Sequence, residues 1–123
     1  MRDSPDLRKG ARRETELLLE SAQRLRATLE ETEETYRQVL RRLDEGGGAT
    51  ETVLALGADA ARSQLTDAVK DFEHRRHRAR VAMIAVQLQE GESIGAIGRS
   101  WGFSRQLASV YASEARSAFG SDA

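Results

Sequence analysis

Residues 91–115, GESIGAIGRSWGFSRQLASVYASEA, decide the fold. Gly91 can stop one helix, and Ser93 can cap the next by accepting a free backbone N–H. Ile94, Ile97 and Trp101 recur at spacings of three and four, the period of one helical face. The period breaks at Trp101-Gly102-Phe103. Glycine reaches positive φ without steric strain, so Gly102 marks a tight turn. Phe103 reads as its buried anchor and Ser104 as the cap of a second helix. On that helix Leu107, Ala108, Tyr111 and Ala115 share a face that can pack on Ile97, Trp101 and Phe103. Gly98 lies where the two helices would cross closely, a place for a small residue. Two short helices joined by a tight turn have the form of a helix-turn-helix.

The other face of the second helix carries Arg105, Gln106, Ser109, Val110 and Ser113. Arginine pairs with guanine O6 and N7, glutamine with adenine N6 and N7, and an apolar side chain meets a thymine methyl. Arg105, Gln106, Ser109 and Val110 are therefore the candidate base readers. Ser104, Arg99 and Ser113 are candidates for the phosphate backbone. Gly95, Ile97, Gly98, Arg99, Gly102, Ser104, Arg105 and Gln106 spell G-x-I-G-R-x-x-G-x-S-R-Q. This resembles a helix-turn-helix type of actinobacterial regulators and is similar to sigma-factor region 4. The resemblance covers about residues 80–118 and implies DNA contact by Ser104, Arg105 and Gln106. Relatives commonly continue with two small residues, where this chain has Leu107-Ala108. A larger polar residue is frequent where Val110 stands.

Outward from the motif, EHRRHRAR at 73–80 adds Arg75, Arg76, Arg78 and Arg80, which can contact phosphates. The alternative is a charged face paired with acidic residues of an earlier helix. Residues 79–90 would complete a tri-helical head, with Val81, Ile84, Ala85 and Leu88 in its core. His74 and His77 stand three apart, a spacing that can support a metal. No third ligand is placed, and no metal or other cofactor is expected. The chain holds 19 basic and 20 acidic residues. Residues 1–73 have 12 basic and 16 acidic side chains, and residues 74–123 have 7 and 4. Attraction to a polyanion belongs to the C-terminal part.

The rest reads as long helices. Pro5 is the only proline, there is no cysteine, and aromatics make up 5%. An all-α chain with a small core follows. Ala11, Thr15, Leu18, Ala22, Leu25, Leu29, Thr32, Tyr36, Val39 and Leu43 form an unbroken heptad, with Leu17, Leu19 and Leu40 widening it. Gly46-Gly47-Gly48 supplies a turn. A second heptad runs through Leu54, Ala58, Ala61, Leu65, Ala68, Phe72, Arg75, Ala79, Ala82 and Val86. Gly57 weakens its start, so residues 51–56 can form a separate turn of helix.

These patterns predict a disordered stretch over 1–10, a coiled-coil-like antiparallel hairpin over 11–78, and the helix-turn-helix head over 79–119. A parallel coiled coil through 11–44 is the alternative. Leucines in excess of a thin hairpin core point to a homodimer, with Leu18, Leu25, Leu29, Tyr36, Val39 and Leu43 at its seam. No phosphate loop or nucleophile–base arrangement is visible, so no catalysis is expected. No apolar run is long enough for a membrane span, and the start has no apolar signal core. The expected setting is cytoplasmic and nucleoid-associated. The expected partners are double-stranded DNA and a second copy, reading an inverted repeat as a transcriptional regulator. The competing expectation is an adaptor whose N-terminal helices bind another protein, with a head that is auxiliary or binds DNA without sequence preference.

Overall fold

A computed structural model describes residues 4–119. They form α1 (Ser4–Asp44), α2 (Ala49–Ala55), α3 (Ala58–Gln89), α4 (Ile94–Trp101) and α5 (Arg105–Phe119). The described residues are all-α, and α1 runs antiparallel to α3 as a hairpin. None of these helices is long and apolar enough to cross a membrane.

Three helices end in the same way. A glycine takes positive φ, and the residues around it donate back to carbonyls that the helix leaves open. After α1, Gly46 (φ 81°) donates to Leu43 O and Gly47 to Arg42 O. After α3, Gly91 (φ 89°) donates to Leu88 O and Glu92 to Gln87 O. After α4, Gly102 (φ 73°) donates to Arg99 O and Phe103 to Gly98 O. Gly57 (φ 60°) separates α2 from α3, so the N-terminal piece of the second heptad is a helix of its own.

The chain divides into two compact units. The first combines the start of α1, through Leu18, with everything from His74 onward. This corrects two expectations. Residues 4–10 are helical rather than disordered, while residues 1–3 lie outside the described residues. The head also extends beyond 79–119, because the first turns of α1 belong to it. The physical reason is burial and pairing. Ala11 is buried with Ala82 and Val86, Leu7 and Phe119 pack on them, and Arg8 pairs with Glu90. Pro5 is tolerated in the first helical turn, where its missing N–H costs no bond.

The main core of this unit consists of Val81, Ile84, Ala85, Ile97 and Ala115, with Leu88, Trp101, Phe103, Tyr111 and Phe119 packed around it. Ile84 and Ile97 are 0% exposed. Every buried apolar residue of the described chain lies in this unit.

The second unit, Leu19–Glu73, buries only Ser21 and Thr52 fully. Ala58, Ala61, Leu65, Ala68 and Phe72 are half-buried, in line with the second heptad, but Leu54 is exposed. The first heptad is only partly kept. Ala22, Leu25, Thr32 and Val39 are half-buried as expected. The positions between them are not the expected ones. Ser21, Thr28 and Thr35 turn inward, while Leu29 and Tyr36 are exposed. Leu43, near the end of α1, is exposed as well. The rotation of α1 is set by polar partners. Ser21 Oγ donates to Asp71 at 2.5 Å, and Arg24 donates to the same oxygen at 2.7 Å. Thr32 and Thr35 satisfy their hydroxyls on the carbonyls of Thr28 and Glu31 within α1. On the outer surface Arg41 and Gln38 donate to Glu34 and hold its carboxyl below the usual range.

This uneven core predicts uneven sensitivity. Ile84→Ala should lose about 2–5 kcal/mol in chemical denaturation followed by circular dichroism. Leu19→Ala, on the surface of the second unit, should stay within about 0.5 kcal/mol of the parent.

Candidate nucleic-acid interface

Each turn of the 91–115 segment is held by a bond that its sequence foreshadows. Ser93 Oγ accepts from the Ala96 N–H at 3.1 Å and caps α4. Ser104 Oγ accepts from the Leu107 N–H at 3.1 Å and caps α5. Gly98 is buried at the α4–α5 crossing. A Cβ there would stand 3.1 Å from Phe103 O and 3.3 Å from Ala108 Cβ. The approach is tighter than a Cβ normally accepts, so a side chain here requires its neighbours to shift by a few tenths of an ångström. Ala108, Ala112 and Ala115 are the buried residues of α5, so it lies on the core through small side chains.

Aromatic rings brace the turn. Trp101 and Phe103 stack at 5.9 Å between centroids, and Phe103 and Tyr111 stack at 5.0 Å. The Arg80 guanidinium lies over all three rings, 5.4 to 5.7 Å from their centroids, and donates to the Tyr111 hydroxyl at 3.0 Å. Gln87 clamps α4 to α3. It accepts from Trp101 Nε1 at 2.8 Å and donates to Ser100 Oγ at 3.0 Å.

These contacts reassign two of the four arginines expected on phosphates. Arg80 is half-buried, and its charge faces the turn aromatics, so it is a packing residue. Arg78 donates to Glu14 at 3.1 Å and lies over the Phe119 ring, which joins α3 to the start of α1 and the end of α5. Arg75 is half-buried on the second heptad and Arg76 is exposed. Sequence reasoning missed Arg80 because its three rings come from positions 101, 103 and 111. Its offset from them along the chain carries no helical period.

Arg105, Gln106, Ser109, Val110 and Ser113 are all exposed on α5, and Ser104 and Arg99 are exposed beside the turn. The structure thus brings the candidate base readers and four of the candidate backbone residues, Arg76 included, onto the surface of one small unit. Leu107 differs from expectation, because it is exposed rather than packed with Ala108 and Tyr111. Closure at Gly98 centres the buried face of α5 on its alanines and leaves Leu107 at the edge. Among the candidate seam residues, Leu18, Leu25 and Val39 are half-buried, and Leu29, Tyr36 and Leu43 are exposed.

His77 Nε2 lies 2.7 Å from Glu114 Oε2, and its ring lies against Tyr111, so it links α3 to α5. Among the described residues no group of three or more His, Cys, Asp or Glu is placed to hold a metal ion.

Two substitutions test this geometry by thermal or chemical melting. Gly98→Val should destabilise the chain by about 1–3 kcal/mol, since its side chain meets backbone and a core methyl. Arg80→Lys keeps the charge but loses the planar group that lies on the rings, and should cost about 1–2 kcal/mol.

Comparison with protein-family models, with curated proteins and with solved structures finds no match for this chain.

Proposed function

We propose that this chain is a sequence-specific DNA-binding protein that acts in pairs as a transcriptional regulator. The observation that carries the reading is the geometry of α4, its αL turn and α5. A capped helix of 15 residues follows a glycine-closed turn, and its exposed surface presents arginine, glutamine, serine and valine. That surface offers donors for guanine, a donor–acceptor pair for adenine and an apolar contact for a thymine methyl. Arg105 and Gln106 stand at the N-terminal end of α5, the end that reaches base edges when such a helix enters the major groove. Ser104, Arg99 and Ser113 hold the phosphates beside it, and Arg76 extends that contact along α3. The excess of basic over acidic residues after position 73 favours approach of DNA to this part of the chain.

A protein-binding adaptor is the second reading. It is favoured by the exposed apolar residues of Leu19–Glu73, among them Tyr36, Leu40, Leu43 and Leu54. In that case the head is auxiliary.

Selection of bound duplexes from a random library separates the two. The regulator reading expects an enriched inverted repeat. On the selected site Arg105→Ala should weaken binding by about 10- to 100-fold, one lost bidentate base contact, with the melting temperature unchanged. A library that yields no enriched motif overturns the reading. A steep salt dependence without sequence preference points instead to non-specific binding.

A further inference from the structure

The inward residues of α1 include Ser21, Leu25, Thr28, Thr32, Thr35 and Val39, four of the six hydroxyl-bearing. The larger apolar side chains Leu29, Tyr36, Leu40 and Leu43 face elsewhere, and half-buried Ala22 and Leu25 continue their line. Ala22, Leu25, Leu29, Tyr36, Leu40 and Leu43 fall within an arc of about 60° at 3.6 residues per turn, along about 30 Å of helix. Leu29 is 45% exposed, Tyr36 61%, Leu40 61% and Leu43 52%. A contiguous stripe of this size on one helix marks an interaction surface rather than scattered surface leucines.

The stripe has relief, and the relief is directional. At its N-terminal end is a hollow of about 340 Å³ lined by Ala22, Leu25, Leu29 and Glu33 of α1 and Phe72 of α3, together with Arg26 and Glu30. Ala22 makes the hollow, because a small side chain stands where the stripe otherwise carries leucine or tyrosine. At the C-terminal end Tyr36, Leu40 and Leu43 project. Hollow and projections lie on the same face of the same helix, at equal distances on either side of residues 32–33. A second α1 laid antiparallel therefore sets its projections into this hollow and receives the first copy's projections in its own. Such a surface is self-complementary about a two-fold axis, the defining property of an isologous contact. The charged residues that line the hollow are of both signs, Arg26 beside Glu30 and Glu33.

We infer that the Ala22–Leu43 stripe of α1 is a homodimer interface, occupied by the same stripe of a second copy running antiparallel. Leu29 then lies beside Tyr36 of the second copy, Leu25 beside Leu40, and Ala22 beside Leu43. This deepens the proposed pairing of DNA-binding heads by naming the surface that pairs them. The large apolar residues that the hairpin leaves in water become the knobs of the dimer.

The full chain at about 50 µM tests this without DNA, by sedimentation or light scattering. The parent should have twice the chain mass. Leu40→Glu should be monomeric, with dissociation at least 100-fold easier and the helical circular dichroism spectrum retained. Ala27→Glu, on the exposed face of α1 away from the stripe, should remain dimeric. Orientation is read by oxidation, which is clean because the chain has no cysteine of its own. Ala22→Cys and Leu43→Cys chains should cross-link when mixed and not when oxidised separately. A monomeric parent, a dimeric Leu40→Glu, or cross-links between identical positions would each overturn the inference. A dimer whose heads enrich no DNA motif sinks the regulator reading and leaves the interface standing. An enriched motif bound by a monomeric chain does the reverse.

Discussion

The contact at Gly98 is the constraint on which the head depends. A Cβ at this position would press on a backbone carbonyl and on the Ala108 methyl, so α4 and α5 meet at backbone distance. Once they do, the buried face of α5 must be built from alanines, and Ala108, Ala112 and Ala115 supply it. Ile97 then reaches Ile84 and Val81 in the core, and Trp101, Phe103 and Tyr111 close the rim as a stack. The outer surface of α5 inherits its direction from this crossing. Gln106 and Val110 face solvent opposite the alanines that face the core, and Arg105 and Ser109 are exposed beside them.

The same crossing explains why the basic segment divides. Arg80 is drawn under the turn, because three aromatic faces offer its guanidinium more than water does at a half-buried position. Arg78 is held by Glu14 and lies over Phe119. Two positive charges thus serve to join α1, α3 and the helix-turn-helix, while Arg76, Arg99, Arg105 and Arg116 are exposed. Gln87 adds a polar latch from α3 to Trp101 and Ser100, so the first motif helix is fixed at both its apolar and its polar contacts.

The second unit follows a different logic. Its two long helices are registered by hydrogen bonds at Asp71 and not by a leucine seam. Polar registry turns the threonines of α1 inward and the leucine stripe outward. A hairpin held this way has little core of its own, which is why its large apolar residues are legible as an interface.

Local features were legible in the sequence because their causes are local. The caps at Ser93 and Ser104, the left-handed turns at Gly46, Gly91 and Gly102, and the close approach at Gly98 need only neighbouring residues and backbone sterics. The all-helical class follows equally from composition and period. The second heptad was legible too, since small alanines and Phe72 leave one plausible inward face. What the tertiary structure decided depends on partners far apart in the chain. Residues 4–10 are helical because Ala82, Val86 and Glu90 meet that segment. Arg80 is a packing residue because three rings converge on it. Leu107 is exposed because closure at Gly98 centres α5 on its alanines. The choice between Leu29 and Thr28, or Tyr36 and Thr35, was made by Asp71, which lies 50 positions from the Ser21 hydroxyl it binds. Hydropathy favours the leucines at that seam. A short hydrogen bond and a charged pair across two helices set the rotation the other way.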